Sequence, residues 1–482
     1  MSITSSINNA ISGLTASARM AEVVSSNLSN ALTDGYGRRV VDLSAANIGG
    51  KGAGVMIDGV RRIVDAGVLS DRRLADAALE GQQQNVNTLK QLETAVGLPG
   101  DPAGLAGRLN AFESALIDAS TDPASSLLLT TASSRLGEVT QALSSASKTV
   151  QSLRQDADSQ IARDVTTLNT ALAQVATLNA DISRARATGG DTTALQDARQ
   201  RAVDQIAGIV PVREVPRDGG AIALMTTTGA QLLDGKAAVF EFTPTPTIVA
   251  DSTFQSSALS GLIMNGQPVS VTDGVGKLTG GTLGANFDLR DNVLVQAQNG
   301  LDTIAVDLIA RFADPAIDPS LTPGDPGLLT DGGNVYDPLD RVGLAGRIAV
   351  NASVDPTQGG DVTRLRDGVG AITPGPVGDT SQINRWLGAL DQPLSTGPGE
   401  PSRTANGQIA NLTSQFGTQR VQAEDTLTFA AARRDTLKSA ELANGVDSDQ
   451  ELQRLILIEQ SYAANAKLIQ TIESMIRTLM EI

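Results

Sequence analysis

The sequence predicts a mostly α-helical chain with a β-rich insert, in a nested order: paired terminal coiled-coil helices outermost, a helical rod inside them, and a small outer β-containing domain between. Three observations carry this. Both ends space apolar residues in threes and fours, one helical pattern runs from about residue 123 to 187, and the period shortens to strand-like alternation after Ile209.

The first helix is written by Ile3, Ile7, Ala10, Leu14, Ser17, Ala21, Val24 and Leu28, a heptad seam that is lean where Ser17 and the alanines fall. The last is written by Leu455, Ile458, Tyr462, Asn465, Ile469, Ile472, Ile476 and Leu479 at the same spacing. Asn444-Gly445 signals the turn before it; Asp447 or Ser448 is its cap, with Glu451 completing a capping box to Ser448. These seams suit either packing within the chain or a subunit interface.

Between residues 1–37 and 443–482, the two terminal segments, lies first a connector over 38–67. It alternates Val40 with Leu43 and Val55 with Ile57, and carries Gly49, Gly50, Gly52, Gly54 and Gly59, as a short β element does. Helical spacing resumes through Val68, Leu74, Leu89 and Leu92 until Gly97 and Pro99, and again from about Leu105 to Ala119. Asp122-Pro123 is expected to cap and open the longest helix. Its heptads run from Leu136 to Ala157, then slip near residue 160 before Ile161, Val165, Leu168, Leu172 and Val175.

VPVREV, AIALMTTT, QLLDG and AAVFEF are strand candidates parted by Asp218-Gly219-Gly220 and Asp234-Gly235 turns. Helix returns over Gly284 to Phe312, Asp314 to Gly378 reads as loops with short strands, and helices follow at Gln382 to Leu390 and Ala405 to Leu442. The organisation expected is a rod from 68–208 and 400–442, with an outer domain over 209–399.

Composition narrows function by exclusion. The 482 residues contain no histidine and no cysteine, which removes imidazole bases, thiol nucleophiles, Cys/His zinc sites and common haem ligation. A formal charge of −16 disfavours nucleic acid and anionic membrane surfaces as partners. No run of about 18 apolar residues and no basic leader before Leu14 appear, as expected of a soluble chain without a cleaved secretory signal. GGKGAG at 49–54 lacks the hydroxyl and the strand-helix context of a P-loop, and DPGLLTDGGNVYDPLD at 325–340 lacks the acidic alternation of a calcium loop. Trp386 in INRWLGAL reads as a core anchor. No catalytic, cofactor-binding or metal-binding residue is expected, so the chain is read as no enzyme.

SSNLSNALTDGYGRR (25–39) resembles the Asn-rich, Gly-Tyr-x-Arg segment that follows the first helix of bacterial flagellar axial proteins, and QRLILIEQSYAANAKLIQTIESMIRTLMEI resembles their closing helix. GVMIDGVRRIVDAGVLSDRRLADA, LQDARQRAVDQIAGIVPVREVPRDGGAIALMTTTGAQLLDG and GTLGANFDLRDNVLVQAQNGLDTIAVDLIARF narrow the similarity to the flagellar hook-associated protein 1 family. Gly37 stands where that family often carries a larger residue.

The resemblance implies an axial-protein architecture and a structural role at the junction of hook and filament. It implies a helical homo-oligomer with hook protein on the proximal side and a second junction protein on the distal side. It also implies an export chaperone on the C-terminal helix and an extracellular location reached through the flagellar type III apparatus. The interface residues expected are the seam positions Ile3, Ile7, Leu14, Val24 and Leu28 with Leu455, Ile458, Tyr462, Ile469, Ile472, Ile476 and Leu479. Tyr36 would anchor the bend against a neighbouring subunit, and Arg38 and Arg39 would face carboxylates across that contact. The competing readings are another axial polymer, such as a hook protein or flagellin, and a rod-borne cell-wall hydrolase working with Asp or Glu.

Overall fold

The computed structural model describes residues 3–48, 51–271, 278–397 and 399–481. Gly49 and Gly50, read above as part of the connector's glycine-rich run, lie outside the described residues. The predicted class holds: the chain is mostly helical, with small antiparallel sheets.

Helix α1 (Ile3–Ser29) buries Ala10, Ala16, Ser17, Val23, Val24 and Asn27. The connector is longer than a short turn of sheet. Strands β1 (Arg38–Ile48) and β2 (Lys51–Ile63) form a two-stranded antiparallel ribbon from Arg38 opposite Ile63 to Ile48 opposite Lys51. Register shifts at Asp42/Leu43 and Ala45/Asn47 increase its twist. The ribbon folds back along α1, where the Val55 amide donates to Ser12 Oγ at 3.1 Å.

Asp65 then caps α2 (Ala66–Val96), accepting from Gly67 and Val68. Helix α3 (Leu105–Thr121) precedes α4 (Ser126–Ala187), 62 residues and about 90 Å long by the helical rise. The cap of α4 corrects the sequence reading. Asp122 ends α3 and Pro123 lies in the intervening turn, while Ser125, held extended, accepts from the Leu128 amide. Next come α5 (Thr193–Ile209), β3 (Val212–Pro216), β4 (Ile222–Thr226), β5 (Gln231–Asp234) and β6 (Lys236–Ala237), a four-stranded meander in sequence order. Strands β7 (Phe240–Glu241), β8 (Leu262–Met264) and β9 (Gln267–Val269) make a second small sheet.

Helix α6 (Gly281–Asp288) passes through a π-turn at Leu289–Val293 into α7 (Leu294–Ala313). Loops then carry β10 (Leu329–Asp331), α8 (Leu344–Arg347), β11 (Ile348–Val350) and α9 (Arg364–Asp367), with β10 and β11 paired. The chain ends in α10 (Ser381–Asp391), α11 (Ala405–Ala443) and α12 (Ser448–Met480).

Two apolar cores sit end to end along α4. The first joins its Leu129-to-Ala157 face to α2, α3, α7, α10 and α11; the second joins its Ile161-to-Val175 face to α5, α6 and the two sheets. The heptad slip near residue 160 is therefore where α4 changes partners. A buried ionic group marks the change: Arg290, from the π-turn, meets Asp158 at 2.7 Å, and Arg154 donates to the Arg290 carbonyl at 3.0 Å.

The span 209–399 is divided between the cores, because α7 has apolar faces that pack on α4 and α11 within the rod, and α10 places Trp386 there as the anticipated anchor. Trp386 is fully buried, edge-on to Phe312, with its indole N–H donating to the Leu365 carbonyl at 3.0 Å.

Candidate functional site: the joint between terminal helices and rod

Helices α1 and α12 pack together. Two contacts give the direction. A Cβ on Gly13 would fall 2.7 Å from Asn465 Nδ2, and Asn27 Nδ2 donates to Glu451 Oε2 at 3.1 Å. Gly13 to Asn27 and Asn465 to Glu451 are each fourteen residues, about four turns, so the helices run antiparallel without slippage.

The seam residues lie along this contact to different depths. Val24 and Ile472 are buried; Ile7, Leu14, Leu455, Ile458, Ile469 and Ile476 are half-buried. Ile3, Leu28, Tyr462 and Leu479 keep between 37% and 63% of their surface in water. The pair thus covers one stripe of each helix and leaves apolar edges uncovered, among them Ile11, Leu452, Ile456 and Leu468.

At the end of α1 the chain turns out through Asp34-Gly35-Tyr36-Gly37. Gly35 adopts φ +76°, which a side chain rarely does. Tyr36 folds inward: its hydroxyl donates to Asn27 Oδ1 at 2.9 Å and lies 3.2 Å from Ser26 Oγ, and the Arg39 guanidinium stacks 4.8 Å from its ring centroid. Burial pushes the phenol above its usual range, partly offset by the Ser26 contact.

Arg38 and Arg39 do meet carboxylates, but within the chain. Arg38 Nε bonds Glu451 Oε1 at 2.9 Å, and Arg39 Nη2 bonds Asp197 Oδ2 at 2.8 Å. The expectation placed such carboxylates across a subunit contact; within one chain both arginines already have them. The ribbon places the two arginines between α12 and α5.

Asp197 is the hub. Its Oδ1 accepts from the Gly37 amide at 3.0 Å and from Arg62 Nε at 2.7 Å. Arg62 also donates to the Gly35 carbonyl at 3.1 Å and to Gln200 Oε1. A Cβ on residue 37 would lie 2.2 Å from Arg62 Nε, so glycine at this position lets the arginine cross the turn. Gln200 reaches Glu441 at 3.3 Å, and Glu441 forms an ion pair with Arg72, Oε2 to Nε 2.6 Å. Arg72 and Arg73 both bind Asp204, and Arg73 also binds Glu214. One polar network therefore ties α1, the ribbon and α12 to α5, α2, α11 and β3.

Sequence reading missed the hub and misassigned Glu451. Asp447 alone caps α12, accepting from Asp449 and Gln450, while Glu451 is fully buried against Arg38 and Asn27. A signal existed. Glu451 lies four residues before Leu455, on the apolar seam, where a carboxylate needs a partner. Asp197 carried no such mark, because its partners come from segments some 135 to 160 residues away.

The arrangement fixes angles; it does not present a reactive group, since every hub oxygen is engaged by a donor. Among the described residues, no group of three or more acidic, His or Cys side chains is placed to hold a metal. No helix among them is long and apolar enough to cross a membrane.

Comparison with known proteins places the chain beside flagellar components. Residues 89–314 match the family model of the flagellar hook-associated protein FlgK helical domain, and residues 442–482 match that of the flagellar basal body rod FlgEFG protein C-terminal region. Flagellar hook-associated protein 1 of Salmonella typhimurium is 29% identical over 250 residues, covering 49% of this chain and 44% of that protein. Flagellar hook-associated protein 1 of Escherichia coli K12 is 26% identical over 324 residues, covering 64% and 56%. The chain thus aligns with about half the length of these curated relatives. The structure of the flagellar hook junction protein FlgK from Burkholderia pseudomallei superposes with a TM-score of 0.44 and 22% identity over 55% of this chain and 47% of that one.

Proposed function

From the premise that the chain belongs to the flagellar hook-associated protein FlgK family, we propose that it is a structural protein of the flagellum, forming the junction between hook and filament. Copies assemble side by side through the terminal helices into a helical layer. Hook protein lies on the proximal side, and a second junction protein and then the filament on the distal side.

The observation that carries this reading is the cover of α12. Of its 33 residues only Glu451 and Ile472 are buried, although apolar side chains recur along its whole length. A helix pair this lean is marginal alone and gains its stability from packing on neighbours. The joint explains how such a pair serves assembly: Asp197 and Glu451 hold it at a set angle to the rod, so contacts made by the helices position the rod as well. Tyr36 and Arg38 take part by fixing the turn, and the interface itself is made by the uncovered edges of α1 and α12.

Before assembly the same edges need cover. An export chaperone on the Leu455-to-Leu479 face supplies it, and the type III apparatus carries the chain out. Replacing Ile469 and Ile472 with Asp abolishes both chaperone capture and assembly; capture that survives the change counts against this step.

Deletion tests the reading as a whole. A strain lacking the chain should build hooks without filaments and release filament subunits into the medium. Loss of the hooks themselves would make it a hook protein, and unchanged filaments would end the proposal.

A further inference from the structure

The joint leaves an apolar cavity and an apolar projection that do not meet within the chain. The cavity, about 340 Å³, opens between Val23 and Val24 of α1, Val41 of β1, and Leu457 and Ile458 of α12. Arg454 also lines it; the side chain is 46% exposed and reaches Glu451 only at 3.5 Å. Glu451 is already committed to Arg38 and Asn27.

The projection is Leu32, which is completely exposed. The turn around it is firmly bonded: the Asn30 amide donates to the Ser26 carbonyl at 3.2 Å, Thr33 to Asn30 at 2.9 Å and Tyr36 to Thr33 at 3.2 Å. An ordered turn therefore holds a leucine in water. Two residues on, Asp34 is 91% exposed and touches Lys438 at 3.3 Å, a surface pair of little strength.

We infer that Leu32 of one copy enters the cavity of the next, with Asp34 meeting Arg454 at its mouth. The match is double, apolar to apolar and acid to base. Leu32 does not line the cavity of its own chain, so the contact joins two different patches and is heterologous. Contacts of that kind propagate into rings or helices instead of closing as dimers. The inference rests on the assembly reading above and names the contact by which neighbouring joints register.

The absence of cysteine makes the test clean. Leu32→Cys and Leu457→Cys are prepared as separate full-length proteins, mixed, assembled on purified hooks and oxidised with copper phenanthroline, and linked peptides are identified by mass spectrometry. A disulfide joining positions 32 and 457 should dominate the sedimented polymer. It should exceed the yield with Leu468→Cys, outside the cavity, by about ten-fold or more, the ratio that a 1.4 kcal/mol preference gives. Leu32→Asp should raise the concentration needed for assembly by about ten-fold or more while Leu32→Met does not, and neither should shift the monomer's melting temperature.

If the unsubstituted chain sediments but links form between two positions 32, or between 32 and 468, in place of 32 and 457, the docking is wrong and the assembly reading stands. If the unsubstituted chain never sediments with purified hooks, the assembly reading fails and the docking falls with it.

Discussion

Helices α4 and α12 are both long and both written in heptads, yet they are covered in opposite ways. From Leu129 to Ile182, α4 buries a side chain on nearly every turn, because α2, α3, α5, α7 and the sheets surround it. By contrast α12 meets chiefly α1 and buries two residues. Spacing sets which face of a helix is apolar; the number of neighbours sets whether that face is satisfied. The apolar face of α4 is covered within one chain, and much of that of α12 is not.

The strongest way to break this contrast is to cut the joint. Asp197→Ala leaves Arg62, Arg39 and the Gly37 amide without their shared acceptor in a nearly dry site, a loss of about 3–5 kcal/mol. Hydrogen exchange should show α1, the ribbon and α12 losing protection while α4 keeps it; equal loss in both would merge the two regions into one cooperative unit.

Leu172→Ala is the converse. It empties space in the second core, where Leu172 is fully buried, and should cost about 3 kcal/mol of rod stability. The melting transition of the rod should fall without a change in exchange from α12.

Tyr36→Phe removes one hydroxyl bonded to Asn27 and should cost about 1 kcal/mol, seen as faster exchange at the end of α1 only. Ile456→Asp, on an uncovered edge, should shift monomer stability by about 0.5 kcal/mol or less yet block assembly. Intact polymer from this variant would show that the edge is not the interface.

The smallest effect is a pH effect in the rod. Burial holds the Asp164 carboxyl above its usual range, against hydrogen bonds from Thr282 and Gln160 that favour the ion. A carboxyl raised on folding binds more protons folded than unfolded, so its contribution is greatest below its unfolded value and declines as pH climbs through the folded one. Asp164→Asn, whose amide can serve both partners, should therefore gain slightly on the parent at neutral pH and lose that gain as acid is added. A gain that grows on acidification would reverse the assignment.

Much of this was legible in residues 1–482 taken one at a time. The α1 and α12 seams, the breaks at Gly97 and Pro99, the Asp-Gly turns between β3 and β6 and the slip near residue 160 are local signals, each spanning a few turns. The slip even marked the change from one core to the other, because a helix that rotates its apolar stripe must face new partners. The start of α4 was misplaced by three residues, since Asp122-Pro123 and Ser125 offer rival caps and only the path of the preceding turn separates them.

What the sequence determined by itself was periodicity: which segments are helix, which are strand, and which stripe of each is apolar. Backbone sterics and side-chain spacing act over a few residues, so they are written locally. Only the tertiary structure decided that 209–399 serves two cores, that Tyr36 turns inward, and that Asp197 and Glu451 lock the terminal pair to the rod. Those outcomes depend on apolar faces, a hydroxyl and charges brought together from segments far apart in the chain, and no spacing along one segment records them.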